Sequence, residues 1–370
     1  MKQRNLLLIL IPFFGFQFAY SQNKPFKIAV AGLTHDHVNE VLAKANAGIY
    51  ELVGIAEANR SLAERYSKRY GFSMNIVYSS LSELLAEVSP EAVCAYNSIK
   101  EHLEVVQLCA PKGIHVMVEK PLAVSLTDAR AMDKLARANN IKLITNYETT
   151  WYPSNHKVKD LLRSENKDYG EIRKIVVHDG HQGPKEIGVT SEFLSWLTDP
   201  EYNGAGALID FGCYGANLST WLHDGKKPIS VTAITQQIKP HIYPEVDDEA
   251  TIILNYPHSQ SIIQASWNWP FGRKDMEVYT VRGFLNPINK YEIGIKPHEK
   301  NPVEKVKLME LQTPFNDSFR YLKAVVRGEI NESSSDLSAL ENNMVVMEIL
   351  QAAMISAKEN RTVYLKELAD

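Results

Sequence analysis

An apolar run that halts on an acid, a base and a proline, Ile114-His115-Val116-Met117-Val118-Glu119-Lys120-Pro121, sets the frame for the whole chain. Four of its first five residues are apolar or β-branched, the pattern of a strand covered on both faces inside a parallel sheet. Pro121 donates no ladder hydrogen bond and biases Lys120 away from helical dihedrals, so the strand ends there. Lys120 is thereby presented at a strand's carboxyl end, the edge where open α/β sheets bind ligands. A surface Glu-Lys pair would also read this way, and the flanking sequence decides between the two.

A chain of 370 residues is long for one core and reads as two domains. Its 45% hydrophobic and 23% charged residues are ordinary for a globular protein. A net charge of -4 with no long basic run argues against a nucleic-acid partner. No Lys/Arg-rich amphipathic helix supports membrane-surface binding. At the start, Lys2 and Arg4 precede an apolar stretch over 6–18 and then Ala19-Tyr20-Ser21, the form of a secretory signal over 1–21. The expectation is an exported protein, periplasmic or secreted, with no membrane anchor once the signal is removed. Cys94, Cys109 and Cys213 lie in apolar surroundings without metal-ligand spacing, so at most one pair bridges and no metal is expected.

Residues 26–32 form a strand that runs into Gly32, and 36–47 carries helical spacing at Val38, Val41, Leu42 and Ala45. A second strand over 50–56 ends on Glu57, 25 residues after Gly32. Strand, glycine turn, helix, strand, acid is the layout of a dinucleotide-binding unit. Glu57 would accept bonds from the adenosine ribose hydroxyls and repel a 2'-phosphate, which favours NAD over NADP. Only the first glycine of the usual three is present, in Gly32-Leu33-Thr34-His35-Asp36-His37. Gly32 still permits a turn that offers N–H groups to a pyrophosphate. Asp36 reads as an N-cap, and the histidines as solvent or substrate contacts.

Helices over 61–70, 82–88, 101–110 and 125–139 and strands over 92–96, 114–118 and 142–146 follow, so strands alternate with helices through residue 146. The fold class is α/β: a doubly wound parallel sheet over 22–147, then an α+β domain over 148–335. There a helix over 157–163 and a strand over 172–178 lead to strands over 231–239, 250–256, 261–268 and 276–283, a large, mainly antiparallel sheet open on one face. An amphipathic helix over 336–360 is expected to pack back on the first domain, so 336–370 forms its own segment. Within this second domain, Gly204-Ala205-Gly206 leads into a helix through Trp221 with Asp210 and Tyr214 four apart on one face. A nearby ammonium would lower the phenol's pKa and make it a proton acceptor for an alcohol. Read alone, Asp210 is more often a helix cap and Tyr214 a core aromatic. Trp267 and Trp269 alternate on a strand and read as filling a sheet face or interface.

Glu119-Lys120-Pro121, the 204–214 stretch and the strand entry Val246-Asp247-Asp248 together resemble the Gfo/Idh/MocA oxidoreductases, over essentially all of the chain from Phe26 onward. The resemblance implies a Rossmann domain followed by a domain whose open sheet forms a subunit interface, hence a homo-oligomer, dimer or tetramer. It implies that Lys120 sits by the nicotinamide and the reacting hydroxyl, and that Asp210 and Tyr214 are the acid/base pair, Tyr214 taking the hydroxyl proton. The cofactor would be lined by Gly32, Thr34, His35, Glu57, Asn97, His102, Glu119, Lys120 and Asn146. By the family layout His178, His181, Trp151 and Trp196 face the nicotinamide end of the cleft, where rings stack on sugar faces and histidines bond hydroxyls. The expected activity is hydride transfer between a sugar or glycoside carbinol and tightly held NAD. Redox-neutral, NAD-assisted glycoside cleavage and a carbohydrate-binding protein without cofactor stand as alternatives.

Overall fold

The computed structural model describes residues 24–164 and 169–368, and the signal expected over 1–21 lies outside them. The first domain runs β1 (Lys27–Ala31), α1 (Val38–Ala43), β2 (Glu51–Ala56), α2 (Arg60–Tyr70), β3 (Val77–Tyr78), α3 (Leu81–Glu87), β4 (Ala92–Ala95), α4 (His102–Cys109), β5 (His115–Glu119), α5 (Leu126–Ala138) and β6 (Leu143–Asn146). All six strands pair in parallel in the order β3-β2-β1-β4-β5-β6. The order reverses between β1 and β4, so a crevice opens there at the carboxyl ends. β4 and β6 are buried throughout and β5 in all but its first residue, as strands with helices on both faces must be. The sixth strand is the two-residue edge strand β3, too short to leave a periodic signal.

The pattern over 36–47 predicts a longer helix than the six residues of α1. Asp36 is not its N-cap: its carboxylate accepts from the Thr190 hydroxyl at 2.6 Å and the Thr190 N–H at 3.1 Å. The His37 N–H donates to His35 Nδ1 at 3.0 Å, so the chain before Val38 is satisfied locally without helix.

The second domain contains α6 (Pro153–Arg163), β7 (Ile172–Gly180), α7 (Ser191–Leu197), α8 (Pro200–Asn203), α9 (Ala207–Asp210), α10 (Gly212–Leu222), β8 (Ser230–Gln236), β9 (Glu249–Asn255), β10 (Gln260–Ser266), β11 (Arg273–Thr280), β12 (Phe284–Asn289), β13 (Glu292–Lys296) and β14 (Glu304–Lys307). It is followed by α11 (Ser318–Val326), α12 (Leu340–Glu359) and β15 (Val363–Tyr364). Among the described residues these strands form one nine-stranded sheet, β14-β13-β12-β11-β7-β10-β9-β8-β15. Its neighbours are antiparallel except β7 and β10. Val177, Val231, Ile252 and Ile263 bury one face; the alternate positions are more open, with Ile234 67% exposed.

Two boundaries differ from the sequence pattern. Phe319, Tyr321, Leu322 and Val325 of α11 join Phe26, Ile28 and Tyr50 in one core cluster, so this part of 148–335 packs on the first domain. α12 is buried on most sides rather than amphipathic, and contacts α5 and β6 as well as α10 and β8. It is a shared core helix between the domains. Cys94, Cys109 and Cys213 are all buried and free. Among the described residues no helix is long and apolar enough to cross a membrane.

Candidate active site

Lys120 follows directly on β5 and is 6% exposed. Its ammonium pairs with the Asp210 carboxylate and donates to the Asp210 carbonyl at 2.9 Å. The other carboxylate oxygen accepts from Trp267 Nε1 at 2.9 Å, so Trp267, wholly buried in the core, also holds the acid. Asp210 is placed by Gly206, where a Cβ would meet the Asp247 carbonyl oxygen at 1.8 Å. The freed space lets Asp247 take the Gly206 and Leu208 N–H groups at 2.9 and 2.7 Å and start α9. Burial opposes both charges of the Lys120–Asp210 pair, but their mutual attraction outweighs it: the ammonium rises above and the carboxyl falls below its ordinary range.

The 204–221 stretch is not one continuous helix; Phe211 separates α9 from α10. Tyr214 is 1% exposed, with its ring centroid 5.1 Å from Lys120 Nζ and 4.7 Å from Lys274 Nζ. Tyr147 meets it edge-on at 5.5 Å. The expected lowering of the phenol's pKa does not occur. Burial pushes it well up, the carboxylates Glu148, Asp210 and Glu119 adding to the effect, while the Lys120 charge is engaged by Asp210. Tyr214 is therefore a protonated phenol between two ammonium groups.

Lys274 and Glu148, which the sequence pattern did not single out, lie beside this cluster. They form an ion pair, and Tyr152 donates to the same carboxylate. Burial works against the Glu148 charge, but Lys274 and Tyr152 bring its carboxyl down, an effect water screens because the side chain is 47% exposed. Lys274 stands opposite Asp179 of β7, whose buried carboxyl has no hydrogen-bond partner and is pushed well up by burial. His181, Lys274, Glu148 and Tyr152 line a cavity of about 340 Å³. His181 Nδ1 accepts from the Gly183 N–H at 2.9 Å, and burial holds the ring below its ordinary value.

The turn after β1 carries the other half. Gly32 has φ +80°, and a Cβ there would lie 2.6 Å from Asn97 Cβ, so only glycine fits. Gly32, Thr34, Glu57 and Asn97 line a cavity of about 220 Å³ at the carboxyl ends of β1, β2 and β4. Asn97 Oδ1 is buried with no partner in the chain. The Glu57 carboxylate accepts from the Leu33 and Asn59 N–H groups at 2.9 and 2.7 Å. A turn that a Cβ would fill, an orphaned acceptor and a strand-end acid fit the adenosine half of a dinucleotide.

A hydrogen-bonded chain joins the two halves. Trp151 Nε1 donates to Asn146 Oδ1 at 3.1 Å, Asn146 Nδ2 to Glu119 Oε1 at 2.8 Å, and Glu119 Oε2 meets His37 Nδ1 at 2.9 Å. Burial lowers His37, but Glu119 outweighs it and the ring rises above its ordinary value; the side chain is 38% exposed, so water screens part of this. Glu119 moves the opposite way: burial raises it, and His37 and Asn146 bring it down. His37 and Asn146 lie on the wall of a cavity of about 660 Å³.

His35, 1% exposed, packs on Phe193 and Trp196 at 4.4 and 5.5 Å between ring centroids, so neither it nor Trp196 reaches a cavity wall described above. His102 is fully buried with Nδ1 3.2 Å from the Leu122 carbonyl, propping the loop after Lys120 rather than lining the cofactor turn. His178 pairs with Asp275 at 3.1 Å, and strand alternation puts it on the face opposite Asp179, away from Tyr214. Trp151 lines the cavity of about 660 Å³ and packs edge-on against Tyr321 at 5.4 Å.

The strand order, the strand-end lysine with its acid, and the glycine turn define a dinucleotide-binding α/β protein with a second sheet domain. A family model described as the oxidoreductase family with an NAD-binding Rossmann fold matches residues 26–147, and the GFO/IDH/MocA C-terminal domain matches residues 156–286. The chain belongs to the Gfo/Idh/MocA family. It is 24% identical over 230 residues to the trans-1,2-dihydrobenzene-1,2-diol dehydrogenase of Sus scrofa, covering 62% of this chain and 64% of that enzyme. The chain therefore spans less than two thirds of that relative's length. The structure of the aldose-aldose oxidoreductase of Caulobacter crescentus complexed with glycerol superposes with a TM-score of 0.76 at 18% identity, covering 92% of this chain and 100% of that one. The WlbA dehydrogenase of Bordetella pertussis, in complex with NADH and UDP-GlcNAcA, gives 0.73 at 20% identity, covering 92% and 99%. At such identities the likeness concerns the fold.

Proposed function

We propose that the protein is an NAD-linked oxidoreductase that moves a hydride between a sugar or glycoside carbinol and tightly bound NAD. The observation that carries this reading is the convergence of Lys120, Asp210 and Tyr214 at the carboxyl end of β5. When bound, the nicotinamide supplies the hydride chemistry. Lys120, fixed by Asp210, stabilises negative charge developing on the reacting oxygen. Tyr214, protonated at rest, is in the form that donates a proton to a carbonyl oxygen. Oxidation runs this step in reverse and starts from the Tyr214 phenolate, formed when its proton leaves to water and stabilised by the ammonium groups of Lys120 and Lys274 at its ring. His181 and Tyr152 offer hydrogen bonds to further hydroxyls from the cavity wall.

Glu57, with Glu101 and Glu104 around the same cavity, gives an acidic lining that disfavours a 2'-phosphate and supports NAD over NADP. Residues 1–21 support an exported protein, periplasmic or secreted. The open face of the nine-stranded sheet, with Thr232, Ile234, Thr251 and Ile262, supports a homo-oligomer. The test is to denature the purified protein, assay the supernatant for NAD(H), and follow turnover on a glycoside panel. Stoichiometric NAD(H) and a Tyr214→Phe variant slowed about a hundredfold are expected. Absence of cofactor together with full activity of the variant would overturn the reading.

A further inference from the structure

No metal is expected from the sequence, yet His35, His37 and Glu119 each bring a donor atom into a group whose members all lie within 4.8 Å of one another. The three arrive from different places: two from the turn before α1, one from the end of β5. His37 Nδ1 and Glu119 Oε2 are 2.9 Å apart. Donors bound at about 2.0–2.1 Å to one ion with ordinary bond angles are themselves about 2.9–3.4 Å apart, so this pair already has ligand spacing. Glu119 is oriented by Asn146 on its second oxygen, and Asn146 in turn by Trp151. That is the outer support metal-binding side chains require. His35 is held between Phe193 and Trp196 with its ring centroid 4.5 Å from that of His37.

We infer that His35, His37 and Glu119 form a site for one divalent first-row transition metal ion, with open coordination positions toward the 660 Å³ cavity that His37 lines. Two imidazoles and one carboxylate suit zinc, iron or manganese and leave room for oxygen ligands. The site stands at the position of the third glycine of the usual turn, where a side chain would otherwise be an obstacle. It does not depend on the oxidoreductase reading, because the ion would be held by the cofactor-free chain.

The test uses untagged protein stripped with a chelator, incubated separately with Zn²⁺, Mn²⁺ and Co²⁺, and desalted before metal analysis. About one equivalent of at least one ion should remain on the wild type and on a control with the exposed His298 changed to Ala, and bound Co²⁺ should show intense d–d absorption. His37→Ala and Glu119→Gln should each weaken retention at least about tenfold. His37 is partly exposed, so that variant is expected to fold, and its circular dichroism will verify this. Loss of retention in folded His37→Ala supports the site. Wild-type protein that retains none of the three ions, or variants that retain as much as the wild type, would overturn it.

Discussion

At the end of β5 both oxygens of Asp210 are bonded and Lys120 is paired, whereas at the turn after β1 Asn97 Oδ1 has no partner and Glu57 accepts from the backbone N–H groups of Leu33 and Asn59. The first region is complete as the chain folds; the second is a cradle that a ligand completes. Buried ion pairs are costly to break because a charge is left without compensation. A half-open turn is cheap to perturb electrostatically but intolerant of a side chain at its one tight point. The difference teaches where substitutions should act: on stability and turnover at β5, on affinity and cofactor choice at β1.

The largest effect is expected from Lys120→Ala. It strips Asp210 of its cation in a site 6% exposed, which should cost about 3–5 kcal/mol in denaturant unfolding. Turnover on any substrate should fall about a thousandfold. Near-normal turnover would erase the contrast between the two regions. Next comes Gly32→Ala. The positive φ and the 2.6 Å approach to Asn97 should destabilise the first domain by about 2–4 kcal/mol, read as a lowered denaturation midpoint. Wild-type stability there would show that the turn is not the fixed point of its region.

Much of this contrast was legible in the sequence because strand ends are. The apolar run into Pro121 located Lys120, and the spacing of Gly32 and Glu57 located the turn. What escaped depends on contacts between segments distant in the chain. Lys274 faces Tyr214 only because β11 pairs with β7, a register that no local pattern reveals. Trp267 reaches Asp210 across 57 residues. His178 and Trp196 looked like site residues by type, but strand alternation and helix packing turned them elsewhere. The raised pKa of the Tyr214 phenol is not legible in residue spacing, because burial, which outweighs a neighbouring ammonium, is a property of the folded packing.

Glu57→Gln sharpens the cofactor end. Removing the charge while keeping an acceptor for the Leu33 N–H should lower the NAD-over-NADP preference in kcat/KM by about tenfold. An unchanged ratio would mean that Glu101 and Glu104 set the choice instead.

The smallest effect tests the rule behind the comparison, that a buried carboxyl is governed by its partner. Asp210 faces an ammonium and is driven down; Glu332 faces the Tyr321 hydroxyl at 2.9 Å and, through burial, is pushed up to about 7. A carboxyl raised in the folded state binds its proton more tightly there than in the unfolded chain. Its stabilising contribution is therefore present in full below the unfolded value near 4.5 and is lost as pH rises through about 7. Between pH 5 and 8 the wild type should lose roughly 1–2 kcal/mol more stability than Glu332→Gln, whose amide stays neutral throughout. Thermal melts of the two proteins across this window measure the difference. Parallel curves would show that Glu332 is hydrated and already charged at pH 5. The partner rule would then hold only for groups as deeply enclosed as Asp210, and the contrast between the two ends would reduce to one of burial.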